Sequence, residues 1–354
     1  YGGSNSKGNV RKQLSSTYSA MFDDCPMSVA TSYGGGKNAY SDADAEVSAD
    51  CAKGVKEMFG GSKDADFTGN INLTITNGSS LKRVFGGNNT SGAVNGSITV
   101  TIKEGGCEPI RIEELYLGGF LAPFSVYGYE TGTEPVAYID EDGNPQDKDQ
   151  RIPLESGTRL YDDPRINVIS ATYIGKIFGG GYQAKLVGNP HINVNMEKGM
   201  VIESYAKNMA GYNDAEKDAD NNMLLPIGTI GDIYGGGNMA EIIGNTYVEI
   251  GTGTWVTSWD NDGNAVYETI TPARNAATIT GNVFGGGKGI ANTFKCENAM
   301  VGIENGEDAT IGNTNVIIGN GTVGALDGNG KLVEGTGNVY GGGQIGRVEW
   351  NTNV

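Results

Sequence analysis

"GDIYGGGNMAEIIGNTYVEI", residues 231–250, contains the three signals that decide the fold of this chain. A short alternating segment ends in an aromatic residue, and three glycines follow it. Eleven residues after the aromatic, an asparagine opens a second alternating run. Alternation of apolar and polar residues with a period of two is typical of β-strands. The stretch therefore predicts short strands joined by a glycine corner and by an asparagine corner.

The same pattern recurs along the chain, with a shortest spacing of 26 residues. The aromatic before the glycines stands at Tyr1, Tyr33, Phe59, Phe85, Phe178, Tyr234, Phe284 and Tyr340, with a degenerate copy at Tyr116. Strands this short cannot bury an apolar face alone, so successive repeats must stack. We expect an all-β fold: a right-handed parallel β-helix (β-solenoid), with its hand taken from the crossover preference.

Stacking assigns a role to each recurring residue type. The glycines are expected to reach positive φ at a tight corner without a steric penalty. The aromatics before them should form a column of offset rings, each pair adding about 0.5 to 1.5 kcal/mol beyond burial. The asparagines, such as Asn70, Asn189, Asn245 and Asn351, are expected to tolerate the left-handed region and to bond along the stack.

Insertions interrupt the repeat in a single solenoid segment that is expected to span residues 1–354. Residues 120–165 are irregular, residues 203–227 are expected to form a loop, and residues 255–275 a β-hairpin that projects from the coil. Turn signals between strand-like arms also predict hairpins in "VAYIDEDGNPQ" and "GALDGNGKLVE". We expect roughly ten coils, about 50 Å in all at a rise of about 4.8 Å, within a longer parent chain.

Composition narrows the range of partners. With 42 acidic and 25 basic residues the formal net charge is −17, which repels phosphate backbones and anionic headgroups. No apolar stretch is long enough to span a bilayer. We therefore expect neither nucleic-acid binding nor membrane insertion.

The cysteines suggest one disulfide. Cys25 and Cys51 each stand eight residues before an aromatic of the repeat, so they should occupy adjacent coils at one position. A separation of about 5 Å there suits a disulfide, with two stacked buried thiols as the alternative. Cys107 and Cys296 have no partner in phase and are expected to pack as small apolar residues.

No motif indicates catalysis, a cofactor or a firm metal site. The single histidine, His191, has no cysteine or carboxylate near it at ligand spacing. "FGGGKG" resembles a phosphate loop, but Gly289 follows Lys288 where Ser or Thr is needed, so a corner is the better interpretation. The acidic turns 140–144 and 260–264 could seed a calcium site, but hairpin tips are the simpler explanation.

The repeat G-N-V-[YF]-G-G-G-x-x-x-x-[VI]-x-G-N-T-x-V-x-I, found at 337–354 and 231–250, resembles the glycine-rich repeats of large secreted or surface β-solenoid proteins of gut-type bacteria, which are adhesin-like. The resemblance covers about two thirds of the chain and is strongest at 178–354. It implies an extracellular or cell-surface location and a structural or adhesive role, and it carries over no catalytic residue.

Three functions stay open at this stage. The leading one is a non-enzymatic extracellular fibre or stalk segment that stacks end to end with itself or with further repeats and binds host or environmental glycans or proteins. The alternatives are a polysaccharide-active β-helix lyase or glycosidase and a glycan-binding module. An enzyme needs charged residues clustered on neighbouring coils, yet the arginines are scattered and no carboxylate recurs at one phase of the repeat.

The inserted arms carry aromatic residues that could bind sugars. Trp255, Trp259 and Tyr267 lie in the segment expected to form a hairpin, and Tyr129 lies near another. Exposed aromatic rings there could stack on sugar rings, whereas the alternative is that they close small satellite cores. An ice-binding surface would need threonines continued along one column, which the later repeats do not supply.

Overall fold

The protein folds into a parallel β-solenoid, as the repeat predicts. The computed structural model describes residues 5, 18–21, 29–41, 43–50, 55–78, 80–140, 142–260, 264–269, 277–291 and 299–354. Each coil gives one strand to each of two long parallel sheets, and some coils also give a strand to a short third sheet. The hand of the coil stays a prediction from the crossover rule.

The first sheet holds the strands that follow the asparagine corner. Its nine strands in the described part of the chain are all paired in parallel, which at about 4.8 Å per strand gives a length of roughly 40 Å. In stacking order they are Tyr18–Met21, Ala45–Asp50, Ile71–Ile75, Ile98–Lys103, Arg165–Ser170, His191–Val194, Thr246–Ile250, Thr314–Ile318 and Thr352–Asn353.

The second sheet holds the strands that lead into the glycines. They are Val29–Tyr33, Val55–Phe59, Leu81–Phe85, Arg111–Tyr116, Tyr173–Phe178, Thr229–Tyr234, Ala277–Ile279, Val283–Phe284, Gly321–Val323 and Val339–Tyr340. A short third sheet lies between the glycine and asparagine corners. Its strands are Phe124–Ser125, Leu186–Val187 and Ile242–Ile243, and a single parallel bridge from Ile242 to Val301 extends it.

The core consists of apolar columns that run along the axis between the sheets. In the first sheet Ile166, Ile192 and Val248 are partners in register, and each is fully buried. Ile112, Ile174 and Ile230 form the corresponding column of the second sheet. Burial of one such side chain contributes about 1.5 to 3 kcal/mol, so every coil adds a similar increment of stability.

The triple glycines lie at a shared corner, but the conformational reason expected for them is wrong. None of the glycines from 179 to 181 or from 235 to 237 has positive φ. Their backbones instead pass against the next coil: a Cβ on Gly179 would lie 2.1 Å from the carbonyl oxygen of Gly235, and one on Gly235 would lie 2.1 Å from that of Gly285. Close approach of stacked backbones, and not turn geometry, therefore requires glycine here.

The asparagine corner shows the converse arrangement. Positive φ is carried by the preceding glycines, with φ of 139° at Gly188 and 151° at Gly244, while Asn189 and Asn245 avoid that region. The bonding expected along the stack is confirmed. The Asn189 Oδ1 atom accepts the backbone N–H of Asn245 at 2.9 Å, and the Asn245 Oδ1 atom accepts that of Asn313 at 2.8 Å. Each amide thus satisfies a buried turn donor in the coil above.

The aromatics form the expected column, including the degenerate copy at Tyr116. Neighbouring rings are nearly parallel, with centroids 4.6 Å apart between Tyr116 and Phe178 and 5.1 Å apart between Tyr33 and Phe59. The column is separate from the inner core, because each ring faces the opposite side of the strand from the apolar residue before it. Phe120 and Tyr182 cover it from the segment after the glycines. Its members are Tyr33, Phe59, Phe85, Tyr116, Phe178, Tyr234, Phe284 and Tyr340.

Antiparallel hairpins project from the coils at the places that the turn signals predict. One pairs Tyr129–Ile139 with Pro145–Pro153, and another pairs Thr254–Trp259 with Ala265–Thr269. A bridge between Leu326 and Leu332 closes a third, smaller turn. Between the paired strands Met200–Val201 and Met223–Leu224 lie one helical turn, Glu203–Ala206, and one 3-10 turn, Tyr212–Asp214, around a small apolar cluster.

Cys107, the one cysteine within the described ranges, is disulfide-bonded and buried. The prediction that it packs as a small apolar residue is therefore wrong. It precedes Tyr116 by nine residues, whereas Cys25 and Cys51 precede their aromatics by eight, so the spacing of the repeat does not predict that it is bonded. The pairing predicted for Cys25 and Cys51 lies outside the described residues, as does Cys296.

Candidate functional site

The outer face of the second sheet carries a column of alternating charge. Glu57, Arg83, Glu114, Lys176 and Asp232 are successive partners in register. Arg83 forms an ion pair with Glu57, and the Lys176 Nζ atom lies 3.7 Å from Glu114 Oε1. The expectation that no carboxylate recurs at one phase is thus wrong, but these carboxylates alternate with cations that pair with two of them. Such pairing is typical of cross-strand stabilisation.

The outer face of the first sheet differs because a hairpin covers part of it. We call residues 254–269 the arm. The Arg165 Nη1 atom donates to the carbonyl oxygen of Val256 at 2.9 Å, and Asn195 Nδ2 donates to that of Thr254 at 3.2 Å. Asn195 Oδ1 in turn accepts the backbone N–H of Gly253 at 2.9 Å. These bonds hold the arm against two neighbouring coils of the sheet.

His191 and Tyr247 form the aromatic part of this covered face. They are partners in register on adjacent strands, and their rings stack with centroids 4.5 Å apart and planes 3° from parallel. Burial, with the nearby positive charges of Arg165 and Arg159, lowers the pKa of His191 to about 3. The imidazole is therefore neutral at physiological pH and presents an uncharged ring.

Asp163 lies at the corner beside this aromatic pair. Its Oδ1 atom accepts the backbone N–H of Asn189 at 2.7 Å, and its Oδ2 atom lies 2.8 Å from Arg159 Nη2. Burial raises the pKa of Asp163, and the charge of Arg159 opposes that rise. The carboxylate therefore continues the asparagine column at a point where an arginine balances its charge.

A cavity of about 260 Å³ lies between the arm and the sheet. The sheet side supplies the stacked pair and the corner residues, and the arm supplies its second strand. The lining residues are Asp163, Asn189, His191, Tyr247, Asn264, Ala265 and Tyr267. A concave space with aromatic walls and a few polar groups has the general character of a small-molecule site.

Three buried polar atoms of the covered face and of the arm lack a hydrogen-bond partner: Asn193 Oδ1, Glu249 Oε2 and Trp255 Nε1. Asn193 and Glu249 are partners in register on the covered face, and Trp255 belongs to the arm. Burial raises the pKa of Glu249 to about 7. Glu249 also contributes, after burial, to the raised pKa of Tyr267. Unsatisfied buried groups are uncommon and mark places where structure alone does not explain the residue.

The aromatics predicted to bind sugars are distributed unequally. Tyr267 is about half exposed and lines the cavity, whereas Trp255 is partly buried. Trp259 ends the first strand of the arm, and its side chain lies outside the described part of the structure. Tyr129 is instead an anchor, since its hydroxyl donates to the carbonyl oxygen of Pro123 at 2.9 Å and accepts the N–H of Val94 at 3.3 Å.

The site residues that sequence reasoning missed are His191, Tyr247, Asp163 and Glu249. From the sequence, His191 is weighed only as a metal ligand, and no functional role is predicted for the other three residues. A signal does exist, because the outward positions of the strand are Asn72 and Thr99 in earlier coils and become His191 and Tyr247 here. A change from small polar to large aromatic residues at one outward column indicates that something covers it.

Two adjoining cavities lie beneath the hairpin of residues 129–153, but ion pairs with the hairpin occupy the carboxylates Asp64 and Asp66 there. Lys148 Nζ lies 2.8 Å from Asp64 Oδ1, and Arg151 Nη2 lies 3.2 Å from Asp66 Oδ2. Burial acts to raise the pKa of Asp64, but hydrogen bonds led by that from Lys148 lower it overall. The carboxylates there are thus engaged with cations of the hairpin itself.

The acidic turns are explained by hairpin geometry. Asp140 Oδ1 accepts the backbone N–H groups of Asp142 and Asn144 at 3.0 and 2.8 Å, and Asp260 Oδ1 accepts that of Asn264 at 2.8 Å. Within the ranges that the structure describes, no group of three or more His, Cys, Asp or Glu side chains is placed to hold a metal ion. Lys288 lies at a glycine corner, where its N–H donates to the Gly237 carbonyl oxygen, as predicted for that segment.

Comparison of the chain with protein-family models, curated proteins and solved structures finds no match. Among the described residues, no helix is both long and apolar enough to cross a membrane.

Proposed function

We propose that this chain is a non-enzymatic segment of an extracellular structural or adhesive fibre built from stacked β-coils. The observation that carries this proposal is the unbroken register of the columns. Inner aliphatic residues, corner amides and stacked rings repeat through the described coils. A protein organised in this way gains length and stability by adding coils, and it needs no closed active-site cleft.

Two features support an extracellular or bacterial cell-surface location. Cys107 is disulfide-bonded, and disulfides persist mainly in oxidising compartments. The glycine-rich repeat also resembles those of adhesin-like surface proteins of gut-type bacteria.

The polysaccharide-enzyme alternative is less well supported. In the second sheet, the charged column is occupied by Glu57–Arg83 and Glu114–Lys176 pairs. In the first sheet, Asp163 is committed to Arg159 and to the corner amides. Glycoside hydrolysis requires two carboxyl groups available on either side of a bond, and among the buried carboxylates described on these two faces Glu249 alone lacks such partners.

Electron microscopy of the purified chain tests the proposal directly. We expect rods about 40 Å long per chain from the strand spacing, and longer rods in multiples of this length at high protein concentration. Compact globules at every concentration would contradict the fibre proposal. Incubation with a panel of polysaccharides, followed by assays for new reducing ends and unsaturated products, should give no product, and turnover would establish the enzyme instead.

A further inference from the structure

The cavity under the arm has the size of a single sugar ring. Its volume is about 260 Å³, slightly below the roughly 300 to 1,000 Å³ typical of small-molecule sites. It is much larger than the roughly 30 Å³ that one water molecule occupies in the liquid. A ligand of this size is one pyranose unit, held by itself or at the end of a longer glycan.

The walls combine flat rings with amides. The stacked rings of His191 and Tyr247 lie on the sheet side, and Tyr267 faces them from the arm. Asn189 and Asn264 add amide groups at the rim. A pyranose presents an apolar C–H face that packs on an aromatic ring and an edge of hydroxyls that bond to amides. Walls of this composition fit such a ligand better than an all-apolar molecule.

The charge around the cavity favours a neutral ligand. Asp163 is paired with Arg159 at 2.8 Å, so the one carboxylate in the lining is balanced. Arg165 bonds to the arm backbone at 2.9 Å. Among the described residues that line the cavity, no unpaired charge is present that would select a phosphate, a uronate or an amine.

We propose that this cavity binds one neutral pyranose unit of a glycan, with Tyr267 stacking on the ring and the amides of Asn189 and Asn264 bonding to its hydroxyls. This proposal rests on the proposed function in one respect: sugar binding contributes to adhesion only if the chain is part of an adhesive fibre. Binding of the sugar itself would hold whether or not the coils assemble into fibres.

Saturation-transfer NMR on the full chain tests this site. The probes are the methyl glycosides of glucose, galactose, mannose and N-acetylglucosamine, with methyl glucuronide and glucosamine as charged counterparts. We expect at least one neutral glycoside to bind in the millimolar range and the charged forms to bind at least tenfold more weakly. Absence of binding by every neutral probe, or tighter binding of a charged one, overturns the proposal.

Variants locate the site. Tyr267→Ala should weaken binding at least tenfold, whereas Tyr267→Phe should retain it because the ring and not the hydroxyl makes the contact. Tyr173→Ala is the matched control, since Tyr173 is an exposed aromatic on the second sheet, and it should leave binding unchanged. Equal binding by Tyr267→Ala and the parent chain places the sugar elsewhere and refutes the assignment.

Electron microscopy of the same samples separates the two proposals. If rods form and no glycoside binds, the sugar site is wrong and the fibre stands. If a glycoside binds in a Tyr267-dependent way to particles that are globular at every concentration, the fibre is wrong and the sugar site stands.

Discussion

The two long sheets share one backbone plan but have different outer faces. On the second sheet, ion pairs occupy much of the charged column, and Phe120 and Tyr182 cover the aromatic column. On the first sheet, the arm covers a face that retains a cavity and buried groups without partners, among them Glu249. We call the outer face of the second sheet the closed face, and its contacts explain how the solenoid is stabilised. We call the outer face of the first sheet the open face, because stability alone does not explain its cavity and its buried groups without partners.

The largest effect is expected at the glycine corner that borders the closed face. A Cβ at Gly236 would lie 2.6 Å from the backbone nitrogen of Gly287, whereas one at Gly342 would meet nothing within 4 Å. Gly236→Ala should therefore lower the free energy of unfolding by about 5 kcal/mol or more, since the backbone itself must move. Gly342→Ala, the same position in an uncovered coil, should change it little. Chemical denaturation followed by circular dichroism checks both, and equal effects would contradict stacking as the cause.

Removal of one ring from the aromatic column should cost nearly as much. Phe178 is fully buried between Tyr116 and Tyr234, so Phe178→Ala should lower the free energy of unfolding by about 3 to 4 kcal/mol. Tyr340→Ala is the control at the exposed end of the same column and should cost less than about 1 kcal/mol. Thermal unfolding of the two variants side by side measures the difference. A similar loss in both would mean that burial along the column is unimportant.

The free energy of unfolding should depend on pH because of Glu249, which lies on the open face. The pKa of Glu249 rises from 4.5 to about 7 in the folded protein, so the folded state holds its proton more tightly than the unfolded state. Its contribution to stability is full below about pH 4.5, declines as pH rises, and is lost above about pH 7, a change on the order of 3 kcal/mol. His191 acts in the opposite direction between about pH 3 and 6.5, because its pKa is lowered.

Comparison with Glu249→Gln isolates the carboxyl group. The difference in unfolding free energy between the parent and this variant should fall between about pH 4.5 and 7 and then level off, with the variant the more stable above pH 7. Denaturant titrations at half-unit pH steps measure it, and the His191 contribution cancels in the difference. A flat difference across this window would mean that the carboxyl group is well solvated.

The smallest effect is expected from the ion pairs of the closed face. Lys176 lies 3.7 Å from Glu114 and is about one third exposed, so Lys176→Met should change the free energy of unfolding by less than about 1 kcal/mol. The same measurement at high salt should narrow the difference further. A loss of several kcal/mol would show that the charged column is more than a solvated stabilising feature.

Much of the fold follows from the sequence because stacking makes local rules repeat. The period of two predicts the strands, and the spacing from Phe178 to Asn189 predicts both corners. The reason for the glycines could not be read locally, since the contact of Gly179 with Gly235 exists only once two coils are stacked. The site was also hidden, because Asp163, His191, Tyr247 and Tyr267 come from separate segments that the coil and the arm bring together. The disulfide bond of Cys107 could not be predicted either, because this cysteine precedes Tyr116 by nine residues and is out of phase with Cys25 and Cys51.

The asparagine corners allow great freedom in what lies between them. Asn189 and Asn245 are 56 residues apart in sequence and Asn245 and Asn313 are 68 apart, yet each pair is joined by the same amide bond across adjacent coils. The scaffold thus separates the pitch of the rod from the length of chain used per turn. A new peptide or small domain could therefore be grafted in place of a hairpin without a change in the register of the coils. Groups displayed in this way would stand at distances fixed by the spacing of the coils.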